Sequence, residues 1–188
     1  MFSFLLNIDL NPKGQECKIK YFLLLISVVL IEPLQAQITS FGFRTGVNTF
    51  RQNNRFRQYE IFVDTDLPYQ KLLTQGISIQ SKLELTGGVL QDFSENSMVF
   101  SAGPGLELDF IREYSFIEAG ISPTFITKHS FRTNELGGLF NFTSYAGIYF
   151  SPLKFLIAGY RFQHMSNAGI YQPNPGVNLH IIEIRVRN

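Results

Sequence analysis

Eight segments of this chain alternate apolar and polar residues one by one, and that period of two constrains the fold more than any other feature. Residues two apart on an extended strand share a face, so each such segment offers one apolar and one polar row. Ile77, Ile79, Leu83 and Leu85 alternate with Ser78, Gln80, Lys82, Glu84 and Thr86. Ile117, Ala119, Ile121 and Phe125 alternate with Glu118, Gly120, Ser122 and Thr124. Phe140, Phe142, Ile148 and Phe150 alternate with Asn141, Thr143, Gly147 and Tyr149, and Leu106, Leu108 and Phe110 with Glu107 and Asp109. Weaker versions run through 41–45, 59–67, 156–166 and 178–186. Nothing after residue 36 sustains a 3.6-residue apolar period, so the chain reads as all-β. Aromatics at 14% (19 Phe, 8 Tyr) fit strands, and 15 Gly and 8 Pro cut the sequence into short pieces.

At 188 residues the chain suits one domain with a real core. A formal charge of +1 gives no bulk electrostatic case for a nucleic-acid partner. Charged residues at 16% against 45% hydrophobic argue against disorder. The single cysteine, Cys17, excludes a disulfide framework and any multi-cysteine metal cluster.

The first 36 residues read as an address. Lys18 and Lys20 precede an apolar run over 21–31, followed by Glu32-Pro33 and then Leu34-Gln35-Ala36. A positive flank, a short apolar core, a helix breaker and a small residue are the parts of a secretory signal peptide, with cleavage expected after Ala36. The run is short for a permanent membrane helix. Residues 37–188 are then an exported, cysteine-free domain.

Alternation alone fits two barrels. A soluble one turns its apolar face inward around a ligand. A transmembrane one inverts this, with aliphatics toward lipid and a polar lumen. The export signal, the Phe and Tyr content and the need to pair every strand edge in lipid favour the second: an eight-stranded antiparallel transmembrane β-barrel. Connections expected outside are 48–57, 87–97, 126–138 and 167–177. Those expected on the periplasmic side are 68–76, 111–113 and 151–154. Arg161, Gln163, Glu60, Glu84, Glu107, Glu118 and Glu183 then face the lumen as ion pairs.

Most catalytic signatures are missing: the sequence holds no HExxH, no GxxxxGK and no GxSxG. Gly103-Pro104-Gly105 reads as a bend within a strand, and His129-Ser130 as a solvated pair in an outer loop. The stretch Arg161-Phe162-Gln163-His164-Met165-Ser166-Asn167-Ala168-Gly169, followed by Pro173-Asn174-Pro175-Gly176, is different. By parity His164 and Ser166 share the lipid-facing side with Tyr160 and Phe162, at the outer end of strand seven. Polar groups there are costly unless they pair or work. Read blandly, they are interfacial residues at the membrane rim. Read chemically, an imidazole beside a hydroxyl is the minimum for acyl transfer, with backbone N–H groups at Ala168-Gly169 and the Asn174 amide available to an oxyanion.

The run H-x-S-N-A-G followed by P-N-x-G resembles the signature of the lipid A 3-O-deacylase family, outer-membrane acyloxyacyl hydrolases of Gram-negative bacteria. That resemblance implies hydrolysis of the ester-linked acyl chain at the 3 position of lipid A in the outer leaflet, without metal or cofactor. It assigns His164 as general base and Ser166 as nucleophile, and it places Asn167, Ala168, Gly169 and Asn174 around the oxyanion. Asn178 stands where the family pattern has a glutamate that orients the histidine. Its parity is correct, and an amide oxygen can accept the imidazole N–H, so a Ser-His-Asn triad with slower turnover is expected. The alternative is a structural or adhesive barrel of the same fold with an inactive site. The sequence leaves monomer and homodimer both open.

Overall fold

The structure, a computed structural model, describes residues 38–48, 56–111, 114–132 and 134–188. The expected signal peptide and Cys17 lie outside the described residues. Eight strands follow one another: β1 (Ile38–Asn48), β2 (Phe56–Thr74), β3 (Ile77–Asp92), β4 (Glu95–Ile111), β5 (Ser115–Ile126), β6 (Phe140–Leu153), β7 (Leu156–Ser166) and β8 (Val177–Arg187). Each pairs antiparallel with the next, and β1 pairs with β8, so the sheet closes on itself. Closure leaves no continuous open edge in the barrel wall, the condition for a sheet immersed in hydrocarbon.

Two connections differ from expectation. Residues 87–97, expected as an outer loop, are almost entirely strand: β3 and β4 stay paired to Asp92↔Glu95 and turn at Phe93-Ser94. Residues 68–76, expected as a periplasmic loop, extend β2 to Thr74 against Ile77, past register shifts at Asp66/Gln70 and Leu72/Thr74. In both places turn-like residues sit inside a ladder long enough to override them. Gly103-Pro104-Gly105 lies within β4, where pairing to β5 lapses between Ser101 and Gly105.

The apolar rows face outward. Ile61 is 68% exposed and Ile182 58%, whereas Arg161 is fully buried. Phe41, Phe43, Leu85, Phe100, Leu106, Ile117, Ile121, Phe125, Ile148 and Phe150 continue the exposed apolar surface around the barrel. This is the inverted pattern of a lipid-immersed barrel.

The interior has two layers. One is a buried charge network. Arg44 bridges Glu60 and Glu84, and Arg161 bridges Glu84 at 3.1 Å and Glu183 at 3.5 Å. Arg185 reaches Glu183, Asp64 and Glu118, and Lys82 reaches Asp64 and Glu118. Tyr145 donates its hydroxyl to Glu118 at 2.8 Å and receives the Arg161 guanidinium 3.4 Å from its ring centre. The second layer, at the end where β7 meets β8, is apolar. Phe131 and Leu136 of the β5–β6 connection drop into the barrel mouth onto Phe56, Leu90, Val99, Ile126, Met165, Val177 and Leu179. Phe56 and Phe131 meet edge to face at 5.3 Å. Among the described residues, the mouth is thus filled from within by apolar side chains.

Removing one member of a buried ion network strands its partners. Glu84→Leu should cost about 3 kcal/mol by leaving Arg44 and Arg161 under-compensated. A urea titration of the folded barrel in vesicles checks this: a lowered midpoint is expected, with strand content unchanged before the transition.

Candidate active site

β7 ends at Ser166 and β8 begins at Val177, so residues 167–176 must turn the chain and cover the rim. Met165 and Val177 point into the apolar plug and anchor both strand ends. The residues between those anchors in the alternation, His164, Ser166 and Asn178, are thereby forced outward, half-buried at the rim.

His164 and Asn178 are direct partners in the β7–β8 ladder. The imidazole Nδ1 and the Asn178 Oδ1 are 2.7 Å apart. A carbonyl oxygen only accepts, so Nδ1 carries the proton and Nε2 keeps its lone pair. The open edge of the ring faces the loop. A Cβ built on Gly176, at φ +66°, would lie 2.9 Å from His164 Cε1 and 3.6 Å from Nε2. Glycine at 176 thus gives the ring its room. Ser166 lies one step beyond His164 on the same face, opposite Phe142 of β6. No carboxylate occupies the outward positions 160–166 or 176–182, and Glu183 turns inward to Arg161 and Arg185.

The loop is organised by Asn167, which is fully buried. Its Nδ2 donates to the carbonyls of Leu136 and Pro173, each at 3.1 Å. Its Oδ1 accepts from the Gly169 N–H at 2.9 Å and the Tyr171 N–H at 3.4 Å. Ala168 and Gly169 have φ +53° and +81°, and the Ile170 N–H returns to the Asn167 carbonyl at 3.0 Å, a tight turn with both central residues left-handed. The Asn167 N–H is taken by Asn174 Oδ1 at 3.1 Å.

These bonds sort the groups expected around an oxyanion by what already engages them. The Asn167 side chain and the Asn167 and Gly169 N–H groups hold the loop and are not available to an oxyanion. The Ala168 N–H, between two residues whose N–H groups are engaged, and Asn174 Nδ2, whose amide oxygen accepts from Asn167, are two donors of this loop that its own hydrogen bonds leave free for a ligand. The Asn174 amide is oriented, because its oxygen accepts from the Asn167 N–H.

Sequence reasoning missed the neighbouring connection, 127–139. The Leu136 carbonyl holds Asn167, and glycines make the contact possible. A Cβ at Gly137 would lie 2.0 Å from the Pro173 carbonyl, and one at Gly138 would lie 2.2 Å from the Tyr171 ring. The adjacent glycines were the available signal. His129 and Ser130, expected as a solvated pair, are accessible to solvent and also belong to this scaffold. His129 Nδ1 meets Glu135 Oε1 at 2.6 Å, the Leu136 N–H bonds the His129 carbonyl at 2.8 Å, and Ser130 bridges Glu135. The His129 hydrogen bond, helped by the Ser130 and Gly137 donors, holds the Glu135 carboxyl below its ordinary value. Its contribution is therefore present above the ordinary carboxylate range and fades as pH falls through that lowered value.

A closed eight-stranded barrel with an apolar exterior, a charged interior and a histidine–amide–hydroxyl group on its outer rim defines an outer-membrane β-barrel with a hydrolase-like site on its wall. The family profile described as lipid A 3-O-deacylase (PagL) matches residues 40–187. The chain belongs to that family of ester hydrolases. It is also 39% identical over 67 residues to the lipid A deacylase PagL of Bordetella bronchiseptica strain RB50, a stretch covering 36% of this chain and 38% of that relative. The crystal structure of the outer membrane enzyme PagL superposes with a TM-score of 0.68 at 20% identity, over 79% of this chain and 99% of the other, which establishes the common fold.

The Asn178 hydrogen bond is expected to fix the Nδ1–H tautomer of His164. Nitrogen NMR of the folded protein checks this: Asn178→Leu or Gly176→Val should shift the ring toward the Nε2–H form that free histidine prefers.

Proposed function

We propose that this protein is a lipid A 3-O-deacylase, exported by its first 36 residues to the outer membrane, which cleaves the acyl ester at position 3 by a serine–histidine mechanism. The observation that carries this reading is the His164–Asn178 hydrogen bond of 2.7 Å on the lipid-facing rim, with Ser166 on the same face. A lipid substrate in the outer leaflet meets such a site without leaving the bilayer.

His164 Nε2 takes the Ser166 hydroxyl proton as the oxygen attacks the ester carbonyl. The oxyanion that forms is met by the Ala168 N–H and Asn174 Nδ2. As the intermediate collapses, the carbon–oxygen bond to the sugar breaks and the imidazolium returns its proton to the sugar oxygen. Water then attacks the acyl-serine, again deprotonated by His164, and the fatty acid leaves. Asn178 holds the ring and its tautomer throughout. It places no full negative charge beside the imidazolium, so turnover is expected to be slower than with a carboxylate there.

The absence of that carboxylate favours a second reading, an inactive barrel of the same fold. Mass spectrometry of lipid A from outer membranes carrying the protein separates the two. Loss of one 3-position acyl chain is expected with the parent and not with Ser166→Ala, and an unchanged lipid A with the folded parent supports the inactive barrel. Asn178→Glu should raise turnover by roughly tenfold, the rate change that about 1.4 kcal/mol of imidazolium stabilisation gives. A slower Asn178→Glu variant speaks against the triad.

A further inference from the structure

Ile170 and Tyr171 stand 54% and 38% exposed on the loop that follows Ser166, and the hydrolysis just described uses neither. Residues 166–178 carry no charge, so this loop offers a ligand nothing ionic. Tyr171 is the more constrained of the two. Its N–H reaches Asn167 Oδ1 at 3.4 Å, and its ring rests on Gly138. A Cβ built at Gly138 would lie 2.2 Å from ring atom Cδ2, 2.4 Å from Cε2 and 2.7 Å from Cγ. Cε2 and Cγ are the ring neighbours of Cδ2, and an approach in the ring plane would leave both much farther away than Cδ2. Gly138 therefore meets the face of the ring and not its rim. One face is seated on the β5–β6 connection, and among the described residues no second ring stacks on the other.

The height of this platform above the serine decides what it can meet. Ser166 pairs with Phe142 of β6, and Gly138 precedes Phe142 by four residues on the outer side. The ring's seat thus stands no more than about 14 Å beyond the level of the serine, toward the head groups. An ester attacked at Ser166 extends in two directions. Its fatty chain descends along the wall into hydrocarbon, and its alcohol half rises toward water. Where the alcohol is a sugar, a pyranose carbon is bonded directly to the ester oxygen. A pyranose carries hydroxyls around its edge and C–H groups on its faces. Those C–H groups are attracted to the negative face of an aromatic ring, and stacking removes apolar surface of both from water.

We propose that Tyr171 is a substrate-binding residue whose open ring face stacks on the sugar that carries the scissile ester, leaving the acyl chain to hang down the wall past Ser166. This rests on the deacylase reading and adds to it the group that holds the alcohol side of the substrate. Gly138 provides the seat, because a side chain there would lift the ring. A tyrosine at head-group level also serves many barrels as a membrane anchor. An anchor acts on every lipophilic reagent alike, whereas stacking acts only on those that carry the sugar.

Two rates measured in the same mixed micelles separate these roles. One is release of the 3-position fatty acid from purified lipid A. The other is modification of Ser166 by a lipophilic phosphonate ester that lacks a sugar. The phosphonate draws on the same histidine and oxyanion donors, so damage to the loop would show in its rate. Tyr171→Ala should lower kcat/KM on lipid A by about tenfold, the loss of one aromatic stacking contact, and leave the phosphonate rate close to the parent's. Tyr171→Phe, which keeps the ring, should match the parent in both. Unchanged lipid A cleavage in Tyr171→Ala, or an equal slowing of both reactions, overturns the proposal while the deacylase reading stands. Failure of the parent to release that fatty acid, with the barrel shown folded by its heat-sensitive gel mobility, overturns both.

Discussion

Hydrocarbon supplies no hydrogen-bond partner, and a sheet immersed in it must satisfy every backbone group within itself. The pairing of β1 with β8 meets that requirement, and the orientation of side chains follows from it. Once the wall is closed, alternate residues have only lipid or lumen to face. The charged ones collect inside, where Arg44, Arg161, Arg185 and Lys82 neutralise Glu60, Asp64, Glu84, Glu118 and Glu183. Such a network is not a strong source of stability by itself, since desolvation offsets much of the attraction. It does fix which way each strand faces, because a one-residue slip would turn Arg161 and Glu84 toward lipid.

The site inherits its position from the same rule. Met165, Val177 and Leu179 enter the apolar plug, so His164, Ser166 and Asn178 emerge on the wall. The plug contributes a second time. Phe131 and Leu136 hold the β5–β6 connection in the barrel mouth, and the Leu136 carbonyl then holds Asn167, which fixes Asn174. Interior packing and the amide proposed to meet the oxyanion are linked through the buried Asn167. Preorganisation of this kind matters because a donor misplaced by an ångström loses most of its effect on a developing charge.

Strand number, inside–outside orientation and the lumen residues were legible in the sequence, since a period of two survives whenever the two faces see different media. Asn178 as partner to His164 was legible too, from parity together with family resemblance. The length of the β3–β4 hairpin was not. Gly87 and Gly88 suggested a loop, whereas both are paired in the β3–β4 ladder. The roles of Asn167 and Gly169 were also hidden. Sequence placed them beside the oxyanion; it did not show that Asn167 Nδ2 donates to the Leu136 and Pro173 carbonyls while its Oδ1 accepts from the Gly169 N–H, because Leu136 is distant in the chain and the path to Pro173 is irregular. The proximity of Gly137 and Gly138 to Pro173 and Tyr171 belongs to that same long-range class.

The central claim is that a serine on the lipid-facing rim is activated by a histidine held by an amide. Treating the folded barrel in vesicles with a lipophilic phosphonate ester and mapping the adduct by peptide mass spectrometry tests it most directly. The account predicts one adduct, on the peptide containing Ser166, formed by the parent and suppressed in His164→Ala. An adduct on another residue, or equal labelling of Ser166 with and without His164, would contradict it.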